Sequence, residues 1–228
     1  MKIIAVIPTF NEAAHIKQIV SNAMLSCDAV IVADDSSPDG TARFALEAGA
    51  LVTMPYNPES KGVGANTLRG IGRALNMDAD IIVTLDGDGQ HNPAEIPAVV
   101  KPIETGEADF VIGNRFANGS APSARMFGIR LINCAMNFGH KQKLQDTQSG
   151  FRAFNRACVH SIWWLSNGFG FSVESIIKAR ARKWRIKEVP ISCIYNGASD
   201  HSKMPLFHGI EVILSVLKWR FYYEILKK

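Results

Sequence analysis

Asp86 and Asp88, separated by one glycine, follow the run Ile81-Ile82-Val83-Thr84-Leu85. Apolar and β-branched residues in such a run read as a buried strand. In extended backbone, residues two apart project to the same side, so the two carboxylates can converge beyond the strand's carboxyl end. Gly87 and Gly89 let a ligand approach the main chain. Two carboxylates with an amide oxygen from Gln90 suit a hard divalent cation, Mg²⁺ or Mn²⁺, whose other positions go to water and phosphate oxygens. A calcium EF-hand loop is excluded, because its sixth and twelfth places hold His91 and Pro97 instead of Gly and Glu. The competing reading, an idle solvated turn, is weighed against what surrounds it.

Two more polar clusters fall where strands should end. Pro8-Thr9-Phe10-Asn11-Glu12 follows the first apolar run, and Asp34-Asp35-Ser36-Ser37-Pro38-Asp39-Gly40-Thr41 follows the second. Thr9 or Asn11 can cap the next helix, and Ser37 before Pro38 is a good helix start. Capping does not explain two adjacent acids, which can accept hydrogen bonds from a nucleobase N–H or a ribose hydroxyl. Lys61-Gly62-Val63-Gly64 opens a further helix whose amides, with Lys61, can face phosphates. The dinucleotide fingerprint is missing after the first strand, and no Gly-x-x-x-x-Gly-Lys phosphate loop occurs.

The elements that must position these residues alternate. Strands are expected at 2–8, 28–34, 50–54, 80–86 and 108–113. Helices are expected at 11–25, 39–49, 62–77 and 93–104. This order predicts an α/β fold with a mostly parallel sheet covered by helices, its ligands beyond the carboxyl ends of the strands. A chain of 228 residues suits one large domain, here 1–204, with a helical tail at 205–228. The four cysteines form no Cys-x-x-Cys pair, which argues against zinc or a disulfide framework and fits a reducing, cytoplasmic setting. No signal peptide and no apolar stretch of spanning length is read. The net charge of +4 hides a division: residues 1–114 carry 7 Lys+Arg and 15 Asp+Glu, net −8, and residues 115–228 carry 18 and 6, net +12. An acidic half that can hold metal, followed by a basic half, points to an anionic partner for the second.

Taken in order, these motifs, with Gly113-Asn114-Arg115 and Asp146-Thr147-Gln148-Ser149-Gly150-Phe151-Arg152-Ala153-Phe154, resemble the family 2 glycosyltransferases of the GT-A fold. Within that family they are similar to the polyprenyl (dolichyl) phosphate sugar synthases, across roughly residues 3–204. The resemblance implies a nucleotide-sugar donor, a UDP- or GDP-sugar, cradled by Pro8, Thr9, Glu12 and Asp35, with Asp35 reading the base. It implies a cation on Asp86, Asp88 and Gln90 bridging the diphosphate, with Asp88 catalytic. Such an ion stabilises charge developing on the leaving nucleoside diphosphate.

For the second half the resemblance implies a polyprenyl phosphate acceptor gripped by Arg115 and Arg130. Cys134 stands where a serine is usual in the family, which weakens a phosphate contact there. Arginine suits the task because its planar fork engages phosphate in two places. Arg152 is either a buried partner for Asp146 or a ligand contact. Glu174 lies near the place where relatives with hydroxyl acceptors carry a base. A phosphate acceptor is already ionised and needs none, which leaves Glu174 an orienting role. Lys61 and Gly62 are expected at the donor phosphates, and Lys203, in Asp200-His201-Ser202-Lys203, as a clamp over them.

The tail from Gly209 is helical by pattern, with Glu211, Ser215, Lys218 and Tyr222 as a polar stripe. It either packs on the domain or a partner chain, or lies in a membrane interface. Trp163-Trp164-Leu165 is a second candidate contact. The expectation is a metal-dependent inverting transferase, peripheral on the cytoplasmic face of a membrane, with a homo-oligomer compatible and no nucleic acid bound. Transfer to a glycan or protein hydroxyl, and a degenerate sugar-nucleotide-binding module, are the alternatives.

Overall fold

The computed structural model describes residues 1–56, 62–117, 123–161, 170–193 and 206–226. Strands β1 (Ile3–Thr9), β2 (Ala29–Asp34) and β4 (Ile81–Thr84) are almost wholly buried runs of Ile, Val and Ala, the signature of parallel strands covered on both faces. With β3 (Leu51–Thr53), β5 (Phe110–Asn114), β6 (Arg152–Asn155) and β7 (Ile186–Pro190) they form one seven-stranded sheet, ordered β3-β2-β1-β4-β6-β5-β7. Alternate side chains enter opposite cores. Ile4, Val6, Ile31 and Ile82 belong to one cluster, and Ala5, Ile7, Val30 and Val83 to the other.

All neighbouring strands are parallel except β6, which runs antiparallel between β4 and β5. Nothing in the short run Arg152–Asn155 marks this reversal. The direction matters, because it carries the loop before β6 to the carboxyl ends of β4 and β5.

Helices α1 (Ile16–Ala23), α2 (Thr41–Glu47), α3 (Val63–Asn76) and α4 (Ile96–Glu104) connect the first five strands. Helix α3 lies close on the sheet: a β-carbon on Gly70 would meet Val6 Cγ1 at 2.3 Å. Two expected helix starts move. The helix expected from residue 11 begins at Ile16, because Asn11 adopts φ +60°. The amides of Asn11, Glu12 and Ala13 are bound instead by Ser37 Oγ, Thr41 Oγ1 and Asp39 Oδ2. Neither Thr9 nor Asn11 therefore caps α1, whose N-cap is His15. Ser37 does not start α2 either. Gly40, at φ +90°, is that helix's N-cap, and Ser37 is bound to Asp34.

Helices α5 (Ser123–Asn137), α6 (Arg156–Ser161), α7 (Gly170–Ala181) and α8 (Leu206–Arg220) complete the chain, α8 continuing through Phe221–Leu226 as a wider π-turn. Strand β7 ends at Pro190, and beyond it Cys193 makes an isolated antiparallel bridge to His91. The tail is not a loose appendage. Val212, Val216 and Trp219 join the same apolar cluster as Ile4, Phe110 and Phe154. Among the described residues, no helix is long and apolar enough to cross a membrane.

Candidate functional site

The polar clusters meet at one edge of the sheet. Strands β1 and β2 end side by side, with Thr9 in register with Asp34. Thr9 Oγ1 donates to Asp34 Oδ1 at 3.0 Å, and the Asp35 amide donates to the Thr9 carbonyl at 2.9 Å. Asp34 is fully buried and also accepts from the Ser37 amide and hydroxyl, so the first acid of the pair organises the loop. The second is differently placed. Asp35 Oδ2 accepts from the Gly62 amide at 3.0 Å, while among the described residues Asp35 Oδ1 is a buried oxygen with no hydrogen-bond partner. A buried acceptor in that state costs about 1–3 kcal/mol unless a ligand donates to it. Gly62 opens α3 at φ +103°, a conformation that favours glycine.

The Asp86–Asp88 turn is pressed against the end of β1. A β-carbon on Gly87 would stand 2.6 Å from Thr9 Cγ2, 3.4 Å from the Pro8 carbonyl and 3.5 Å from Glu12 Cγ. The Gln90 amide donates to Asp88 Oδ1 at 3.0 Å, closing the turn, and Gln90 itself is buried. The Asp86 amide donates to His91 Nδ1 at 3.2 Å, which fixes that nitrogen as an acceptor. Burial holds His91 neutral, pushing its pKa down to about 4, with Arg115 adding to the effect.

Charge accumulates here. Burial raises the Glu12 carboxyl to about 7, and Asp88, Asp39 and Asp86 push the same way. Asp86 is also raised, by desolvation first and Asp146 in addition, while Arg115 and Arg152 oppose the shift. Its side chain nevertheless keeps 39% of its surface open to solvent. Among the described residues, no three His, Cys, Asp or Glu side chains form a closed metal cage. Two carboxylates at an open edge, with further acids repelling them, fit a cation that is shared with a phosphate ligand rather than fully enclosed.

Opposite this turn lies the loop before β6. Thr84 Oγ1 donates to the Gly150 carbonyl at 2.9 Å. Arg115, at the end of β5, forms a fork on buried Asp146: Nε to Oδ2 at 2.7 Å and Nη2 to Oδ1 at 2.8 Å. Asp146 is thus partnered by Arg115 rather than by Arg152. Arg152 is 1% exposed and donates to the carbonyls of Thr147, Ser149 and Ser172 and to Ser175 Oγ. Its role is to tie the 147–151 loop to helix α7.

Pro8, Thr9, Glu12, Asp35, Gly62, Asp86, Asp88 and Gln90 are therefore brought to one edge, with Arg115 beside Asp86. Arg130 is exposed on α5. Glu174 is fully buried on α7 and paired with Lys178, whose ammonium lies 5.2 Å from the Trp219 ring centre and 5.4 Å from that of Tyr223. Lys61, Lys203 and the Trp163-Trp164 pair lie outside the described residues. Sequence reasoning passed over His91, Arg69 and Gly150. Arg69 braces the base-side loop through the Asp34 carbonyl and Asn66 Oδ1. A histidine directly after the Asp-Gly-Asp-Gly-Gln run was the available signal for the first. Gly150 stands inside the Asp146–Phe154 motif, but nothing local tells that it faces Asp86, which is distant in sequence.

A mostly parallel seven-stranded sheet with polar loops after β1 and β2 and paired carboxylates after β4 has the architecture of the GT-A fold. The chain belongs to glycosyl transferase family 2, whose model matches residues 4–163, and it is a glycosyltransferase. It is 31% identical to the UDP-N-acetylglucosamine–dolichyl-phosphate N-acetylglucosaminyltransferase of Methanococcus voltae, over 93% of each chain. It is 28% identical to the undecaprenyl-phosphate mannosyltransferase of Micrococcus luteus, over 96% of this chain and 94% of that one. Among solved structures, mannosyl-3-phosphoglycerate synthase from Rubrobacter xylanophilus superposes with a TM-score of 0.78 at 19% identity, over 98% of this chain and 75% of that chain. Glucosyl-3-phosphoglycerate synthase from Mycobacterium tuberculosis, solved with Mn²⁺, UDP and phosphoglyceric acid, gives 0.73 at 23%, over 96% and 78%. At these identities the structural likeness speaks for the fold alone.

Proposed function

We propose that this glycosyltransferase moves a sugar from a UDP- or GDP-sugar to a polyprenyl phosphate, with inversion at the anomeric carbon. The observation that carries the reading is the juxtaposition at Asp86: an acidic turn beside Glu12 and Asp88 on one side, and the Arg115 fork on the other. Such a border separates a cation-dependent donor diphosphate from an anionic acceptor. Relatives along nearly the whole chain are named for transfer to dolichyl or undecaprenyl phosphate.

In this reading the unpaired Asp35 oxygen accepts an N–H from the base, and Pro8, Thr9 and Glu12 wall the ribose. Asp86, Asp88 and Gln90 would hold Mg²⁺ or Mn²⁺, which when bound would supply charge neutralisation at the departing diphosphate. Lys61 and Lys203 add positive charge to the donor phosphates. Asp146 holds the Arg115 guanidinium in a fixed plane, and Arg115 with Arg130 orients the acceptor phosphate for in-line attack.

The acceptor oxygen needs no proton removed. That agrees with Glu174, sealed in its ion pair with Lys178, serving to orient helix α7 rather than as a base. The enzyme works peripherally at the cytoplasmic face of the membrane that holds its acceptor.

A screen of UDP- and GDP-sugars against a short-chain polyprenyl phosphate, with Mg²⁺ or Mn²⁺, tests the proposal. Transfer that is lost with EDTA and with Asp88→Asn is expected. Undiminished transfer under both, or transfer only to hydroxyl acceptors, sinks it.

A further inference from the structure

The two carboxylate oxygens of Asp35 are not equivalent. Oδ2 accepts from the Gly62 amide at 3.0 Å, while among the described residues Oδ1 is buried and has no hydrogen-bond partner. The side chain therefore offers a ligand one open acceptor, not the pair that a carboxylate ordinarily presents.

The start of α3 holds the Gly62 amide where it is. Gly62 is that helix's N-cap at φ +103°, and its carbonyl accepts from the Asn66 amide at 2.9 Å. Arg69 donates to Asn66 Oδ1 at 2.8 Å and to the Asp34 carbonyl at 3.0 Å, tying the helix to the end of β2. Asp35 is fixed by its own main chain, the amide donating to the Thr9 carbonyl at 2.9 Å. Separating Gly62 from Oδ2 thus means moving the helix, and a partly buried amide left without an acceptor is costly.

Uracil and guanine make different demands on such a group. Uracil presents a single ring N–H between two carbonyl oxygens. Guanine presents a ring N–H and an exocyclic amine side by side, and a carboxylate receives both by turning one oxygen to each. At Asp35 the second of those oxygens already serves Gly62. Guanine either forgoes the bond to its amine or competes with the Gly62 amide. Uracil takes Oδ1 and leaves the Gly62 bond intact. Hydrogen-bonding sites discriminate in this way because the wrong ligand leaves a buried polar group unpaired.

We propose that the donor is a UDP-sugar, its uracil N–H received by Asp35 Oδ1 and guanine disfavoured by the Gly62 amide on Oδ2. The inference rests on the proposed donor site, in which Asp35 faces the base, and it is independent of the acceptor.

Calorimetric titration of the full chain with UDP, GDP and CDP in the presence of Mn²⁺ is the test. UDP should bind at least about tenfold more tightly than GDP, the effect of one unmade hydrogen bond in a buried site. Asp35→Asn gives a second readout. Its amide oxygen has to stay with the Gly62 N–H, which turns the NH₂ group toward the base. Uracil then sets donor against donor, while cytosine carries an acceptor at the same ring nitrogen. The ratio of UDP to CDP affinity should fall about tenfold or more in this variant. That ratio does not depend on how much of the variant is folded, and a purely structural role for Asp35 would leave it unmoved.

GDP binding as tight as UDP binding, or tighter, overturns the proposal; transfer from a GDP-sugar to polyprenyl phosphate would then leave the proposed function standing. An unchanged UDP-to-CDP ratio in Asp35→Asn overturns it as well, because the base is then read elsewhere. Binding of neither UDP nor GDP removes the donor site and this inference together. A preference for UDP in an enzyme that transfers to no polyprenyl phosphate supports the inference and removes only the acceptor assignment.

Discussion

A β-carbon on Gly150 would stand 2.3 Å from Asp86 Oδ1 and 2.5 Å from Oδ2. The two residues are brought together by the antiparallel pairing of β4 with β6, in which Thr84 faces Arg152. The glycine is the space in which the carboxylate sits.

Gly150→Ala should therefore displace the Asp86 carboxylate, because the loop around residue 150 is held by the Arg152 bonds and cannot easily retreat. A shift near an ångström at such a group costs about 10²-fold in turnover. Steady-state kinetics at saturating donor, with a titration of Mn²⁺ affinity, would check this. Gly72→Ala is the control: nothing lies within 4 Å of its added methyl, so activity should be unchanged and the helix stabilised by about 0.5–1 kcal/mol.

Asp35→Asn should weaken nucleotide binding with a smaller effect on turnover at saturation. The amide cannot offer a second anionic acceptor at the Oδ1 position, and loss of a charge-assisted bond costs about 1.5–3 kcal/mol, or roughly 10- to 100-fold in affinity. Calorimetric titration with UDP and with GDP would measure it and show which base is preferred.

Removing one member of the Glu174–Lys178 pair strands the other charge in the core, at a cost of about 3–5 kcal/mol. Glu174→Gln/Lys178→Met together should be far milder in thermal denaturation. If no base is needed, the double variant should retain transfer to polyprenyl phosphate. Loss of turnover in a well-folded double variant with intact donor binding would favour a hydroxyl acceptor.

Two groups at the site make stability depend on pH in opposite directions. In metal-free protein Glu12 keeps its proton up to about 7, whereas unfolded it would lose it near 4.5. The native state thus binds more protons in that window, and Glu12's contribution to stability falls as pH rises through it. His91 stays neutral down to about 4, whereas unfolded it charges below 6.5, so its contribution rises with pH between those values. The two slopes oppose each other between about 4.5 and 6.5. In EDTA, Glu12→Gln should gain stability relative to wild type as pH rises from 5 to 7. Chemical denaturation at several pH values, with and without Mn²⁺, would reveal it. A variant that tracks wild type at every pH would contradict the assignment.

The sequence by itself determined the elements and the order of the motifs. Continuous runs such as Ala29–Asp34 have to be buried on both faces, and local polarity marks where they stop. It also carried the division into an acidic first half and a basic second half. Boundaries failed where a long-range bond overrode a local preference, as at Asn11–Ala13, whose amides are held by the β2–α2 loop instead of entering a helix.

Only the tertiary structure decided which charges meet. Strand direction leaves no trace in a run as short as Arg152–Asn155, so the reversal that places Gly150 against Asp86 was not legible. Arg115 rather than Arg152 took Asp146, Glu174 was sealed by Lys178, and Trp219 turned inward. Each outcome depends on which elements lie side by side, and that is set by packing the whole sheet and its two cores rather than by any one stretch of chain.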